Sequence, residues 1–343
     1  MLHWFDTHGR KDLPWQRDVN PYRVWVSEIM LQQTQVQTVI PYYERFMRTF
    51  PDLMSLADAD IDAVLLHWSG LGYYARARNL HRAAQIIRDE YAAEFPAELD
   101  AVLALPGIGR STAGAILALA KQQRHAILDG NVKRVLGRHA AIAGWPGTTD
   151  VANVLWARAN ELTPLERVAE YTQAIMDLGA TLCTRTKPAC DACPVAEDCV
   201  ARLSASVDLY PGRKAKQVKP LRQTIMVMAL SDDSVYLERR PPAGIWGGLW
   251  SLPEVQNVAD WCMQILHVAP AATESQAVLR HSFSHYDLDI QPVVVRVVAR
   301  SRTVADNADA TWHALDDEPP GGIAAPVQQL LNTLKTNRHV TNR

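Results

Sequence analysis

The stretch 105–134, LPGIGRSTAGAILALAKQQRHAILDGNVKR, joins a tight turn, a helix and an acidic residue. The turn LPGIG holds Gly107 and Gly109, and glycine allows backbone conformations that a Cβ atom would forbid. The residues that follow, RSTAGAILALA, have the pattern of a helix whose first backbone N–H groups are unpaired and point toward the turn. Such a helix end binds anions, phosphate in particular. A glycine turn before an apolar helix is also a common structural corner, so this segment alone leaves both interpretations open.

Asp129 favours the first interpretation. It lies about twenty residues after the turn, in LDGNVKR, beside a glycine and shortly before Lys133 and Arg134. A carboxylate between a phosphate-binding turn and two cations is typical of a protein that acts on DNA rather than of a structural corner.

The overall charge does not by itself indicate a nucleic-acid-binding protein, since 343 residues carry a formal charge of −2 and a pI of about 6.6. The length allows about two or three domains with cores of their own. Between Val207 and Gln223 the only acid is Asp208, and the basic residues are Arg213, Lys214, Lys216, Lys219 and Arg222. Prolines and a glycine in the same stretch indicate a linker, which either contacts DNA or only adds solubility.

The sequence contains no run of eighteen apolar residues and no apolar core of a signal peptide at its start. We therefore expect no membrane-spanning segment and a cytoplasmic protein.

Four of the five cysteines fall in one short stretch with the spacing C-x6-C-x2-C-x5-C: Cys183, Cys190, Cys193 and Cys199. Because disulfides are rare in the cytosol, this group predicts a metal site. Four thiolates suit zinc or an iron–sulfur cluster, and the spacing alone leaves both open. The fifth, Cys262, lies in a helical pattern and is predicted to be a small core residue.

The periodicity of apolar residues predicts helices over residues 1 to about 205, with Ser27 as a cap and Pro41 as a break. A turn at Gly70–Gly72 separates two of these helices. After the linker, residues 223–240 predict two strands around a turn at Ser231–Ser234. With further β-rich segments and two helices, the last 120 or so residues predict an α+β domain.

These motifs resemble the endonuclease III superfamily of base-excision DNA glycosylases, and within it the MutY family. The resemblance covers nearly the whole chain. It implies a multidomain protein with an all-α helix–hairpin–helix glycosylase region at 1–182 and an iron–sulfur cluster loop at 183–205. The resemblance further implies a basic linker at 206–223 and an α+β, Nudix-like 8-oxoguanine-recognition domain at 224–343.

The resemblance implies an adenine DNA glycosylase whose catalytic residues are Glu28 and Asp129. Glu28 lies in WVSEIMLQQTQV, where its apolar neighbours would raise its pKa and keep a proton available. By the resemblance it protonates adenine at N7 and later helps to activate water, while Asp129 stabilises the cationic sugar. Ser111 stands where lyase-active relatives carry a Schiff-base lysine, which implies a monofunctional glycosylase.

The resemblance also implies the residues that contact DNA. Gln33 and Tyr73 would insert beside the unpaired base, Asn131 would order the pocket, and Lys133 would lie close to DNA. Phe283, Ser284 and His285 would read 8-oxoguanine. The implied substrate-binding residues are Gln33, Tyr73, Gly107, Gly109, Ser111, Asn131, Lys133, Phe283, Ser284 and His285. Without the resemblance, Gln33 is equally well a helix-surface amide and Tyr73 a core aromatic, whereas Phe283, Ser284 and His285 are more often structural residues of a β-turn.

The implied cofactor is a 4Fe–4S cluster held by Cys183, Cys190, Cys193 and Cys199. The implied partner is double-stranded DNA containing 8-oxoguanine:adenine or guanine:adenine mispairs, bound by a monomer.

Three other functions are weighed against this one. A pyrimidine glycosylase of the same superfamily is disfavoured by Glu28 and by the C-terminal module. A catalytically silent DNA-binding protein with a redox-sensing cluster is disfavoured by the presence of both carboxylates, Glu28 and Asp129. A Nudix hydrolase needs an acid-rich helix for magnesium, and the corresponding segment offers only Glu254 and Asp260.

Overall fold

A computed structural model describes residues 1–215, 218–267, 269–270, 272–297 and 309–341. Lys216, one of the predicted linker cations, lies outside these ranges. The α-helices are α1 Leu2–His8, α2 Pro21–Leu31, α3 Val36–Thr49, α4 Leu53–Ala57, α5 Ile61–Trp68, α6 Ala75–Glu90, α7 Leu99–Ala104, α8 Arg110–Lys121, α9 Gly130–His139, α10 Thr149–Leu162, α11 Val168–Asp177, α12 Val200–Leu203, α13 Val258–Trp261 and α14 Ala325–Thr341. The predicted helical character of the first 205 residues is therefore confirmed.

The chain divides into two compact units, one formed by residues 1–58 and 79–216 and the other by residues 59–78 and 217–343. The sequence gives no sign that residues 59–78 group with the C-terminal part. The domain boundaries inferred from the sequence stay a prediction.

The first unit is built around α8, whose apolar residues pack against α2 and α11. Trp25 and Met30 of α2 and Ile116 and Leu117 of α8 are fully buried. Helix α2 begins after Asn20, whose side chain accepts a hydrogen bond from the N–H of Arg23, and has a proline at its first position. The core thus holds α2 and α8, which carry Glu28 and Ser111, side by side.

The second unit contains a mixed sheet. Its strands are β1 Leu221–Ser231, β2 Ser234–Arg239, β3 Trp250–Ser251, β4 Glu254–Val255, β5 Ala272–Ser275, β6 Leu279–Ser282, β7 Asp287–Arg296 and β8 Ala310–Ala314. The main strand order is β3-β2-β1-β7-β5, with β4, β6 and β8 paired to β1, β7 and β2. Strands β1 and β7 are parallel, with Thr224 opposite Ile290. The remaining pairs are antiparallel.

One face of this sheet is covered by α13 and the π-helical segment Cys262–Leu266 that continues it. Cys262 is fully buried there with Val227 and Val295, which confirms its predicted role as a core residue. Helix α5 and the turn after it belong to the same unit, where the Tyr74 hydroxyl donates a hydrogen bond to the Ile323 carbonyl at 2.8 Å.

Several local predictions are confirmed. Ser231 pairs with Ser234 across the predicted hairpin turn, and α5 and α6 flank the Gly70–Gly72 turn. Two predictions are wrong: Ser27 lies inside α2 rather than capping it, and Pro41 lies inside α3 without ending it. Within the described ranges, no helix is both long and apolar enough to cross a bilayer.

Candidate active site

The turn between α7 and α8 requires glycine at one of its two glycine positions. Gly107 has φ +79°, and a Cβ atom there would lie 2.8 Å from the Asn79 Cβ. Gly109 has an ordinary extended backbone (φ −94°, ψ 171°), so the expectation that it needs a forbidden conformation is wrong. Among the described residues, no atom outside the immediate chain neighbours lies within 4 Å of the place a Cβ would take at Gly109. Its contribution is an open approach to the N–H groups that begin α8.

Ser111 joins the first turn of α8 to the segment that leads into Asp129. Its Oγ accepts a hydrogen bond from the Leu128 N–H at 2.9 Å, one residue before Asp129. A hydroxyl at this place has no amine with which to form an imine, and it fixes the backbone that carries the carboxylate. The neighbouring side chain of Thr112 accepts a hydrogen bond from Gln32 at the end of α2, at 3.4 Å.

Asp129 caps the N-terminus of α9, where its Oδ1 accepts a hydrogen bond from the Val132 N–H at 2.7 Å. Burial raises the pKa of Asp129, while the N–H groups of Val132 and Asn131 and the charge of Arg134 act in the opposite direction. The carboxylate is thus partly buried at the positive end of a helix, an arrangement suited to holding negative charge near a substrate.

Glu28 is half-buried on α2, between fully buried neighbours on either side. Burial and, to a smaller extent, the nearby negative charge of Asp129 together raise the pKa of Glu28 to about 8. Near neutral pH Glu28 therefore keeps its proton. A carboxyl group that holds a proton, close to a second one that accepts hydrogen bonds at a helix N-terminus, is suited to act as an acid beside an electrostatic stabiliser.

Gln33 and Tyr73 share an unusual backbone conformation. Gln33 has φ 59° and is exposed just after α2, and Tyr73 has φ 50° with a side chain that is 51% exposed. The Arg76 guanidinium lies 5.4 Å from the Tyr73 ring centroid and donates to the Gly72 carbonyl at 3.0 Å. Non-glycine residues held at positive φ with exposed side chains are frequent at functional sites.

Asn131 and Lys133 lie on the first turns of α9, next to Asp129. The Asn131 side-chain oxygen accepts a hydrogen bond from Arg134 at 2.8 Å. A Cβ at Gly179 would lie 2.6 Å from the Asn131 Cβ, so glycine lets the segment before the cysteines approach α9 closely. Lys133 is half-exposed and lines an open groove together with Gly130.

The four clustered cysteines line one small cavity that is partly open to solvent. Arg138 of α9 is buried beside it, with its Nη1 3.4 Å from the Cys183 Sγ. A donor set of four thiols beside a buried guanidinium fits an anionic thiolate cluster. In the part of the chain that the structure describes, no three His, Cys, Asp or Glu side chains form a group placed to hold a metal ion.

Two arginines of α9 connect the cysteine loop to the helix of Asp129, and the sequence reading did not single them out for this role. Arg134 donates to the carbonyls of Cys183 and Gly179, both at 2.7 Å. Arg138 donates to the carbonyls of Thr184 at 2.7 Å and Tyr210 at 3.0 Å. Their spacing of four residues places them on one face of the helix, a signal present in the sequence.

In the second unit, Phe283, Ser284 and His285 form the turn between β6 and β7. The Phe283 ring packs against Trp246 at 5.3 Å and Tyr286 at 4.7 Å between centroids. Ser284 and His285 are exposed on this aromatic base, with Ser284 Oγ 3.4 Å from His285 Nδ1. The sequence reading missed Trp246 and Tyr286, which support the turn.

Comparisons with known proteins identify two domain families along the chain. Residues 26–161 match the model of the HhH-GPD superfamily of base excision DNA repair proteins, and residues 224–333 match that of the NUDIX domain. The expected fold class, a helical helix–hairpin–helix glycosylase region followed by a Nudix-like α+β domain, is therefore confirmed.

The adenine DNA glycosylase of Buchnera aphidicola subsp. Acyrthosiphon pisum is 37% identical over 339 residues, covering 98% of this chain and 97% of that protein. The human adenine DNA glycosylase is 36% identical over 310 residues, covering 74% of this chain and 56% of that protein. The structure of a thermostable thymine-DNA glycosylase superposes with a TM-score of 0.52 at 26% identity, covering 59% of this chain and 93% of that one. The chain therefore belongs to the adenine DNA glycosylase family of base excision repair enzymes.

Proposed function

We propose that this protein hydrolyses the N-glycosidic bond of adenine mispaired with 8-oxoguanine, and with guanine, in double-stranded DNA. The observation that carries the proposal is the carboxyl pair: Glu28 with its pKa raised to about 8, and Asp129 capping α9 beside it. Adenine is a poor leaving group unless it is protonated, and its departure leaves a cationic sugar. The pair meets both needs, with one proton and one negative charge.

In the proposed reaction, the protein takes the adenine out of the duplex before the bond is cleaved. Glu28 gives its proton to N7, the bond between C1′ and N9 breaks, and the bonding electrons leave with the base. The Asp129 carboxylate stabilises the positive charge that develops on the sugar. Water adds to C1′, and the Glu28 carboxylate takes the proton that this water loses. Ser111 offers no amine, so the strand stays intact and the enzyme is monofunctional.

The other predicted residues support DNA binding in this proposal. Gly107 and Gly109 let the phosphate backbone approach the start of α8, and Asn131 and Lys133 line the site next to Asp129. Gln33 and Tyr73 enter the space left by the extruded base.

Recognition of the opposite base is assigned to Phe283, Ser284 and His285. An oxidised guanine differs from guanine by an oxygen on C8 and a hydrogen on N7. The exposed hydroxyl and imidazole on the aromatic base are suited to contact these two positions.

We also propose that Cys183, Cys190, Cys193 and Cys199 hold a 4Fe–4S cluster, for which four thiols around one cavity are a fitting donor set. When bound, the cluster supplies a rigid cross-link within the loop. Arg138 offsets its negative charge and holds the carbonyls around it. The enzyme acts as a monomer.

The test is single-turnover cleavage of duplexes with adenine opposite 8-oxoguanine, guanine, cytosine or thymine. Wild type should release adenine opposite the first two, and strands should break only after alkali. The single-turnover rate of Glu28→Gln should be lower than that of wild type by a factor of about 10² or more, because the variant lacks the acid. Glu44→Gln makes the same change at an exposed glutamate of α3 and should leave the rate unchanged.

Three results would contradict the proposal. Removal of a pyrimidine would assign the enzyme to another branch of the superfamily. Efficient borohydride trapping would show a lyase. Tight binding without base release would leave a silent DNA-binding protein as the better account.

A further inference from the structure

An open groove in the first unit is lined by one face of α9, the turn 145–147, residues 185–186 and the segment 208–214. It includes Gly130, the residue next to Asp129. The groove therefore adjoins the proposed catalytic carboxylate and contains part of the predicted linker.

The groove carries an excess of positive charge. Its basic residues are Lys133, Arg134, Arg138, Arg185, Arg213 and Lys214, and its acid is Asp208. Arg134 and Arg138 are bound to backbone carbonyls. Over the ranges that the structure describes, none of the other four cations forms an ion pair with a carboxylate within 4 Å. Cations without a carboxylate partner are available to an anionic ligand.

The linker residues that line the groove pack against other parts of the first unit. A Cβ at Gly212 would lie 2.4 Å from the Gly144 carbonyl oxygen, so the two backbones are in close contact there. Arg138 donates to the Tyr210 carbonyl at 3.0 Å. The Lys214 ammonium lies 5.2 Å from the ring centroid of Trp145, which is 38% exposed. Trp145 and residues 210–214 thus present an aromatic side chain and two cations at a fixed place.

We infer that this groove, through Arg213, Lys214 and Trp145, binds the sugar–phosphate backbone of DNA beyond the nucleotide held at Asp129. The inference rests on the proposed function, because it takes the sugar at Asp129 as the starting point of the strand. DNA carries one negative charge per about 1.7 Å of duplex, so the chain leaving that sugar needs cations nearby. Trp145 offers a flat apolar surface for a sugar or base.

The test is the affinity of the full-length, cluster-loaded protein for a fully paired, undamaged duplex, measured by fluorescence anisotropy between about 50 and 200 mM salt. Arg213→Ala/Lys214→Ala removes about two phosphate contacts and should flatten the log–log salt slope by about 1.8. As the salt concentration rises fourfold, the ratio of the wild-type affinity to that of the variant should therefore fall about 12-fold. Arg48→Ala/Lys121→Ala removes the same charges from exposed positions on α3 and α8 and should keep the wild-type slope.

Trp145→Ala separates stacking from charge. It should weaken binding by roughly tenfold at every salt concentration without changing the slope. The inference is overturned if the salt slope of Arg213→Ala/Lys214→Ala is as close to the wild-type slope as that of Arg48→Ala/Lys121→Ala.

The binding assay does not depend on adenine release. If Arg213→Ala/Lys214→Ala lowers the salt slope but wild type releases no base, the groove binds DNA and the proposed function is rejected. If wild type releases adenine but Arg213→Ala/Lys214→Ala keeps the wild-type salt slope, the proposed function holds and DNA binding by the groove is rejected.

Discussion

Replacing Glu28 with glutamine removes a carboxyl group whose ionisation the folded protein opposes. Its pKa is 4.5 in the unfolded chain and about 8 in the fold, because burial and Asp129 disfavour the charged form. The folded state therefore holds a proton that the unfolded chain releases. The contribution to stability is fully present below pH 4.5 and is lost as the pH rises through 8. Glutamine stays neutral throughout, so the variant does not share this loss.

The size of the effect follows from linkage between proton binding and folding. Between about pH 5 and pH 9, wild type should lose about 4 kcal/mol of unfolding free energy relative to Glu28→Gln. At about 2–4 °C per kcal/mol, this corresponds to a change of about 8–16 °C in the difference between their melting temperatures. An effect of the glutamine side chain on stability that does not depend on pH cancels, because the comparison uses only how the melting-temperature difference between the two proteins changes with pH.

The assay is thermal unfolding of both proteins and of Glu44→Gln in matched buffers, at one scan rate. A melting-temperature difference between wild type and Glu28→Gln that is the same at both ends of the pH range would refute the reasoning. Glu28 would then ionise near its ordinary pKa. The same raised pKa predicts that adenine release by wild type falls about tenfold per pH unit above about pH 8.

Three further predictions concern other parts of the molecule. Ser111→Ala leaves the Leu128 N–H without its acceptor; it should cost about 1–3 kcal/mol of stability and lower the single-turnover rate, with Ser111→Thr restoring part of both. Arg138→Met removes donors from the carbonyls of the cysteine loop and should speed the loss of iron to a chelator, whereas unchanged iron retention would contradict the assigned cluster site. Ser284→Ala/His285→Ala should reduce the preference for 8-oxoguanine over guanine while leaving the rate opposite guanine close to wild type; equal losses opposite both bases would refute the assignment.

Local features of the fold were predictable because they depend on neighbouring residues. The hairpin turn at Ser231–Ser234 and the glycine turn between α5 and α6 follow from short patterns of turn residues. The start of α2 was also readable, since Asn20 followed by a proline is the usual N-cap signal, but the apolar periodicity drew attention to Ser27 instead.

Long-range pairings were not predictable from the same patterns. Periodicity shows that β1 and β7 are strands and says nothing about their parallel pairing, which joins residues more than sixty positions apart. The grouping of residues 59–78 with the C-terminal unit depends on contacts such as that of Tyr74 with Ile323, which no local pattern encodes. At the active site, the sequence indicated an apolar setting for Glu28, and its electrostatic coupling to Asp129 required the fold.

Helix α9 has a length that cannot vary freely. Asp129 caps one end and Arg138 lies nine residues later, about 13.5 Å along the axis at 1.5 Å per residue. A single inserted or deleted residue between them would turn Arg138 by about 100° around the axis and remove it from the carbonyls of the loop. The segment 130–138 should therefore accept substitutions at its exposed positions and reject any change in residue count. Length, rather than composition, is the property that should be held fixed there when family members diverge.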